Sequence, residues 1–119
     1  MIARYSVPAI LAEIKEAKAR AGNVWLPYGN PEDREKLEKL TDWYMTKLTE
    51  WEDWIVVTRP KKADVEKRIY EVFEWAWNMD VAGKLQMGNG YSQITRGRVD
   101  PKDYAKLEAA RRIRDMVQG

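Results

Sequence analysis

Residues 31–57, PEDREKLEKLTDWYMTKLTEWEDWIVV, decide the fold. Leu37, Leu40, Tyr44, Leu48, Trp51 and Ile55 recur every three or four positions, the spacing that puts side chains on one face of an α-helix. Asn30-Pro31 supplies an N-cap and a proline at the first helical position. Glu32, Asp33 and Glu35 then place negative charge at the positive end of the helix dipole. A helix of this length is long for a globular protein, so it spans the domain and sets its long dimension.

The same signals recur on both sides. Ser6-Val7-Pro8 opens an earlier helix whose stripe is Val7, Ile10, Leu11, Ile14, Ala17 and Ala21, ending at Gly22. Thr58-Arg59-Pro60 interrupts the pattern. A third helix then runs from about Lys61 or Asp64 to Gly83, with Val65, Ile69, Val72, Phe73, Ala76 and Met79 on one side. Asp100-Pro101 repeats the cap and proline, and opens a helix with a narrow apolar face of Ala109, Ala110, Ile113, Met116 and Val117. Between them, Asn89-Gly90 is a tight-turn signal, and Tyr91, Ile94, Thr95 and Val99 favour extended backbone.

The sequence therefore predicts an all-α chain: a four-helix bundle-like single domain with two long antiparallel central helices and a short hairpin-like loop before the last helix. The helices fall at about 6–21, 31–57, 61–83 and 101–117, and the loop or hairpin at 84–99.

Composition restricts the chemistry. The 119 residues contain no His and no Cys, which excludes Ser-His and Cys-His nucleophile pairs and the histidine and cysteine metal motifs. Glu50, Glu52 and Asp53 cluster, but Glu52 leaves the face that the other two share. The phosphate-loop pattern is absent. The expectation is a protein that is not an enzyme, with no catalytic residue, metal, cofactor or small-molecule substrate. With no run of about 18 apolar residues and no secretory leader pattern, the expected location is cytoplasmic or within a nucleoprotein assembly, away from membranes. Three Gln and four Asn amid many Glu, Lys and Arg resemble a thermophile's composition, against which five Met weigh.

Six tryptophans, at 25, 43, 51, 54, 75 and 77, stand out in a chain with no histidine. On helical wheels Trp51 lies on the main stripe of its helix, while Trp43 and Trp54 lie about 80–100° off it. On the next helix Trp75 lies about 90° to one side, and Tyr70 and Trp77 about 100° to the other. Each long helix thus carries more apolar surface than one neighbour covers. Such flanks serve either further packing inside the domain or an interface outside it, and wheel positions do not separate the two. Because Trp, Tyr and Arg dominate interaction hot spots, Trp43, Trp54, Trp75, Trp77 and Tyr70 are the candidate protein interface, for a second copy or another protein.

Charge gives the second candidate. The net charge is +2, but residues 84–114 hold eight basic residues against three acidic. Lys84, Tyr91, Arg96, Arg98, Arg111, Arg112 and Arg114 form a candidate surface for DNA or RNA, with phosphate contacts independent of base sequence. The competing expectation is a self-paired face, Glu108 with Arg112 and Asp115 with Arg111. The leading function is a small structural or adaptor protein that self-associates or docks a partner, and the alternative is a nucleoid- or virion-type nucleic-acid binder.

Overall fold

The computed structural model describes residues 5–21, 31–88 and 90–118, which form six helices and no strand: α1 (Val7–Arg20), α2 (Pro31–Thr58), α3 (Lys62–Asn78), α4 (Val81–Gln86), α5 (Gly90–Thr95) and α6 (Pro101–Gln118). The all-α class follows from the periodicity. The expected cap at Asn30, the stop at Gly22, Trp25 and Asn89 lie outside the described residues.

Local signals act as the sequence implies. The Ser6 hydroxyl accepts the Ala9 N–H at 3.2 Å and opens α1. Asp100 opens α6, its carboxylate accepting the Lys102 N–H at 2.8 Å. All six expected stripe residues of α2, from Leu37 to Ile55, are buried. Its 28 residues, at about 1.5 Å each, match the 41 Å long axis of the molecule. At the corner after α2, Arg59 takes a left-handed conformation (φ 43°) ahead of a buried Pro60. The Pro60 carbonyl accepts the Tyr5 hydroxyl at 2.8 Å, which ties the start of the described chain to this corner.

Two expectations are corrected. The first concerns the centre of the fold, which is α6 rather than an α2–α3 pair: α2 and α3 each pack chiefly against α6, and α1 closes over α2 and α6. The apolar surface of α6 is broad rather than narrow. Ala105, Leu107, Ala109, Ala110, Ile113 and Val117 are all buried, and they span about 200° of the helix. Ala105, Ala109, Ala110, Ile113 and Val117 join the core of α1 and α2. Leu107 joins Ala76 of α3, Val81 of α4 and Val99 in a smaller cluster. Three alanines with no exposed surface let flanking helices approach closely, which a leucine zipper-like stripe does not.

The second correction concerns residues 79–99. Helix α3 ends at Asn78, because Asp80 adopts φ 59°, and Met79, expected on the buried stripe, is exposed. No hairpin forms among the described residues of 84–99. Lys84 continues α4, and Tyr91 and Ile94 sit three apart on α5, a helical spacing that buries Ile94. Gly90 serves close approach rather than a hairpin turn: a Cβ there would lie 2.4 Å from the Tyr104 ring. The chain then reverses through Gly97 (φ 72°), with the Gln93 carbonyl accepting the N–H groups of Arg98 and Val99 at 2.9 and 3.2 Å.

If α6 is the packed centre, Ala109→Leu destabilises the protein by about 1–3 kcal/mol through overpacking. The same change at exposed Ala12 leaves the urea midpoint within error. Equal effects at both positions would show that α6 is not tightly enclosed.

Candidate binding surfaces

The tryptophan flanks separate into covered and uncovered sets. Trp51 is buried, as its stripe position requires, and its ring meets Trp54 edge to face at 5.8 Å. The Arg68 guanidinium lies 4.9 Å from the Trp51 ring centre and 4.5 Å from that of Trp54, so it seals the α2–α3 corner from α3. Lys106 of α6 sits 3.9 Å from the Trp75 centre, and Lys102 sits 4.7 Å from that of Trp43. These are cation–π distances, each contributing about 0.5–2 kcal/mol. Burial lowers the pKa of both Arg68 and Lys106, and the nearby Lys47 charge lowers that of Lys106 further.

This arrangement changes the standing of the expected interface residues. Trp54 and Trp75 are half-buried and capped by cations of the same chain. Trp43 is 36% exposed. Trp77 and Tyr70, on the opposite flank of α3, are 68% and 63% exposed. Two turns apart on one face, they bracket Phe73, which meets Tyr70 edge to face at 6.4 Å.

Beside this ridge stand two of the candidate phosphate ligands. Phe73, Trp77, Ala82, Leu107, Arg111 and Arg114 line a cleft of about 190 Å³, and the Arg114 guanidinium lies 5.4 Å from the Phe73 centre. The sequence places these rings and arginines in separate hypotheses. Packing of α3 on α6 makes them neighbours.

The basic set, by contrast, is dispersed. Arg112 turns toward α2, where its guanidinium donates to the Tyr44 hydroxyl; that bond raises the arginine's pKa, while burial raises the tyrosine's. The expected pairings also change partners: Arg111 reaches Glu108 at 3.9 Å, and Arg114 reaches Asp115 at 3.3 Å. Lys84 is half-buried on α4, and Tyr91 donates to Asp33 of α2 at 3.2 Å, which docks α5. Arg96 and Arg98 are exposed on the turn around Gly97, near the start of α6 and about two to three helical turns from Arg111.

That turn meets Trp43 together with Lys36 and Lys39, lysines not singled out from the sequence. Lys36, Lys39, Trp43, Ile94, Gly97, Val99, Asp100 and Pro101 line a cleft of about 430 Å³. The sequence does carry a trace of it, since Lys36, Lys39 and Trp43 follow helical spacing on α2. Among the described residues no group of three potential metal-ligating side chains converges, and no helix is long and apolar enough to cross a membrane.

Beneath the arginines, burial raises the Glu108 pKa, partly offset by Arg111 and Arg112, and Tyr104 is pushed up to about 12 by burial first and the Glu108 charge second. A carboxyl with a raised folded pKa stabilises the fold below its unfolded value, near 4.5, and loses that contribution as pH rises through the folded value. Glu108→Gln therefore flattens the fall in melting temperature above that pH; a mutant with the native profile would remove Glu108 as its source. The covered and uncovered rings also differ in cost. Trp54→Ser destabilises by about 2–4 kcal/mol in chemical denaturation, whereas Trp77→Ser, in solution dilute enough that the protein is monomeric, stays within about 0.5 kcal/mol of the native protein.

No protein-family model, curated protein or solved structure matches the chain.

Proposed function

We propose that this is a non-enzymatic assembly protein that pairs with a second copy of itself through the α3 ridge of Tyr70, Phe73 and Trp77. The observation that carries the proposal is the exposure of Trp77 and Tyr70, 68% and 63%, on a helix whose other tryptophan is covered by a cation of its own chain. Aromatic rings held on a rigid helix beside arginines have the composition of interaction hot spots and lose little side-chain entropy on docking.

Charge supports a second copy as the occupant. Arg111 and Arg114 border the ridge on the α6 side. On the far side the exposed Glu74 lies about 40–60° beyond Tyr70 and Trp77 on the α3 wheel. An isologous interface must be self-complementary. A two-fold axis running along α3 lays ridge on ridge and carries the arginines of one copy toward Glu74 of the other. The acidic and basic sides of one surface then neutralise each other across the interface, favouring orientation more than affinity.

Sedimentation velocity over a concentration series tests this. The native protein is expected to show a concentration-dependent dimer. Trp77→Glu gives a monomer with an unchanged helical circular dichroism spectrum, and Glu74→Arg weakens the dimer by about tenfold, or ~1.4 kcal/mol. A native protein that stays monomeric at hundreds of micromolar, or a dimer untouched by Trp77→Glu, overturns the proposal.

A further inference from the structure

A different corner of the molecule combines an aromatic wall, a cleft and cations in another way. The cleft of about 430 Å³ lies where α2, the turn after α5 and the start of α6 meet. Trp43 forms one wall, with about a third of its surface exposed, and Ile94 and Val99 form the apolar floor. Lys36 and Lys39 stand on the α2 side. Gly97 lines the opposite side, between the exposed Arg96 and Arg98, and Lys102 approaches from α6 to 4.7 Å from the Trp43 ring centre.

The charge at this corner is weakly neutralised. Among the described residues no carboxylate lies within 4.0 Å of Lys36, Arg96, Arg98 or Lys102, in contrast to Arg111 and Arg114, which each have one. Lys36 instead donates to the Thr95 carbonyl at 2.9 Å, which fixes the turn against α2 while leaving its charge unpaired. Of the nearby acids, Glu35 reaches Lys39 at 3.8 Å, and Asp100, whose carboxylate caps α6, keeps its negative charge at the cleft, where Lys36, Arg96, Arg98 and Lys102 outnumber it.

We infer that this corner binds single-stranded nucleic acid, with one unstacked base in the cleft against Trp43 and the adjoining phosphates on Lys36, Arg96, Arg98 and Lys102. A base inside a duplex does not present its face to an indole, whereas a single strand does. Aromatic stacking beside a positively charged track is the general physics of such binding. Cations on both sides of the cleft suit a backbone that passes across it, more than an isolated phosphate. Gly97, with φ 72° and open space at its Cβ position, lets the Arg96–Arg98 turn follow that backbone. An acidic protein segment satisfies the cations, but only one that also carries an aromatic side chain matches the indole as a base does.

Fluorescence anisotropy with a labelled 12-nucleotide oligothymidine, between 50 and 300 mM salt, tests the inference. The native protein binds the single strand more tightly than a duplex of equal length. Trp43→Leu weakens single-strand binding by about 5- to 150-fold, the range for loss of one stacked base. The double change Arg96→Ala and Arg98→Ala lowers the slope of log affinity against log salt by about 1.4, at about 0.7 per phosphate contact on a single strand. Circular dichroism and thermal melting confirm that each variant is folded, and Trp77→Glu, which tests the dimer, leaves oligonucleotide binding unaltered. Absence of single-strand binding at 50 mM salt overturns the inference. So does equal affinity for duplex, or an unchanged affinity in Trp43→Leu with inorganic polyphosphate competing as well as the oligonucleotide, since binding would then rest on charge alone.

Discussion

The fold depends on the close approach permitted by α6. This helix is enclosed over about half its circumference, and at Ala105, Ala109 and Ala110 its side chains are single methyl groups with no exposed surface. Small side chains let the backbones of flanking helices come near, and the larger Leu107, Ile113 and Val117 fill the spaces on either side. Gly90 extends the same device to α5, whose first residue lies against the Tyr104 ring. With α6 between them, α2 and α3 are partners of a common centre and only secondarily of each other.

The tryptophan arrangement follows from that insertion. Lys102 and Lys106 lie on the same side of the α6 wheel as Ala110 and Ile113 but nearer its N-terminal end, so ammonium groups emerge between α2 and α3. A lysine in that position keeps its charge by laying it on an aromatic face, and Trp43 and Trp75 provide those faces. Arg68 repeats the solution from α3 on Trp51 and Trp54. Trp51, Trp54 and Trp75 are internal fasteners, whereas Trp43 meets Lys102 and still keeps about a third of its surface exposed. Trp77 falls on the other flank of α3, where α6 offers Arg111 and Arg114 at the edge of the ridge and leaves most of the indole in solvent.

The proposed dimer ridge and the proposed strand-binding corner involve different helices and different segments of α6. Trp77 belongs to the α3 side, near Arg111 and Arg114, whereas Trp43 belongs to the α2 side, near Lys102. Pairing through one surface leaves the cations of the other available, so a dimer carries two strand-binding corners. Linking two weak sites raises the apparent affinity for a strand long enough to reach both. Salt acts mainly on the corner, through counterion release, and less on the aromatic ridge.

Much of the helical content was legible because it rests on local rules: the stripe of α2, the Ser6 and Asp100 caps, and the break before Pro60 each depend on residues a few positions apart. The failures were non-local. Asn89-Gly90 reads as a hairpin turn only if its flanks pair as strands, whereas Tyr91 and Ile94 gain more by packing helically against α2 and the core. Leu107 lies outside the alanine-rich stripe and joins the core only because α3 and α4 cover the second side of α6. The candidate surfaces show the same division. Residue type and wheel angle determined that there would be surplus aromatic flanks and an excess of cations in 84–114. Which ring is sealed by a cation and which arginine stands beside a bare ring was decided by the packing of α6 between α2 and α3, because those distances join residues far apart in the chain that no local periodicity relates.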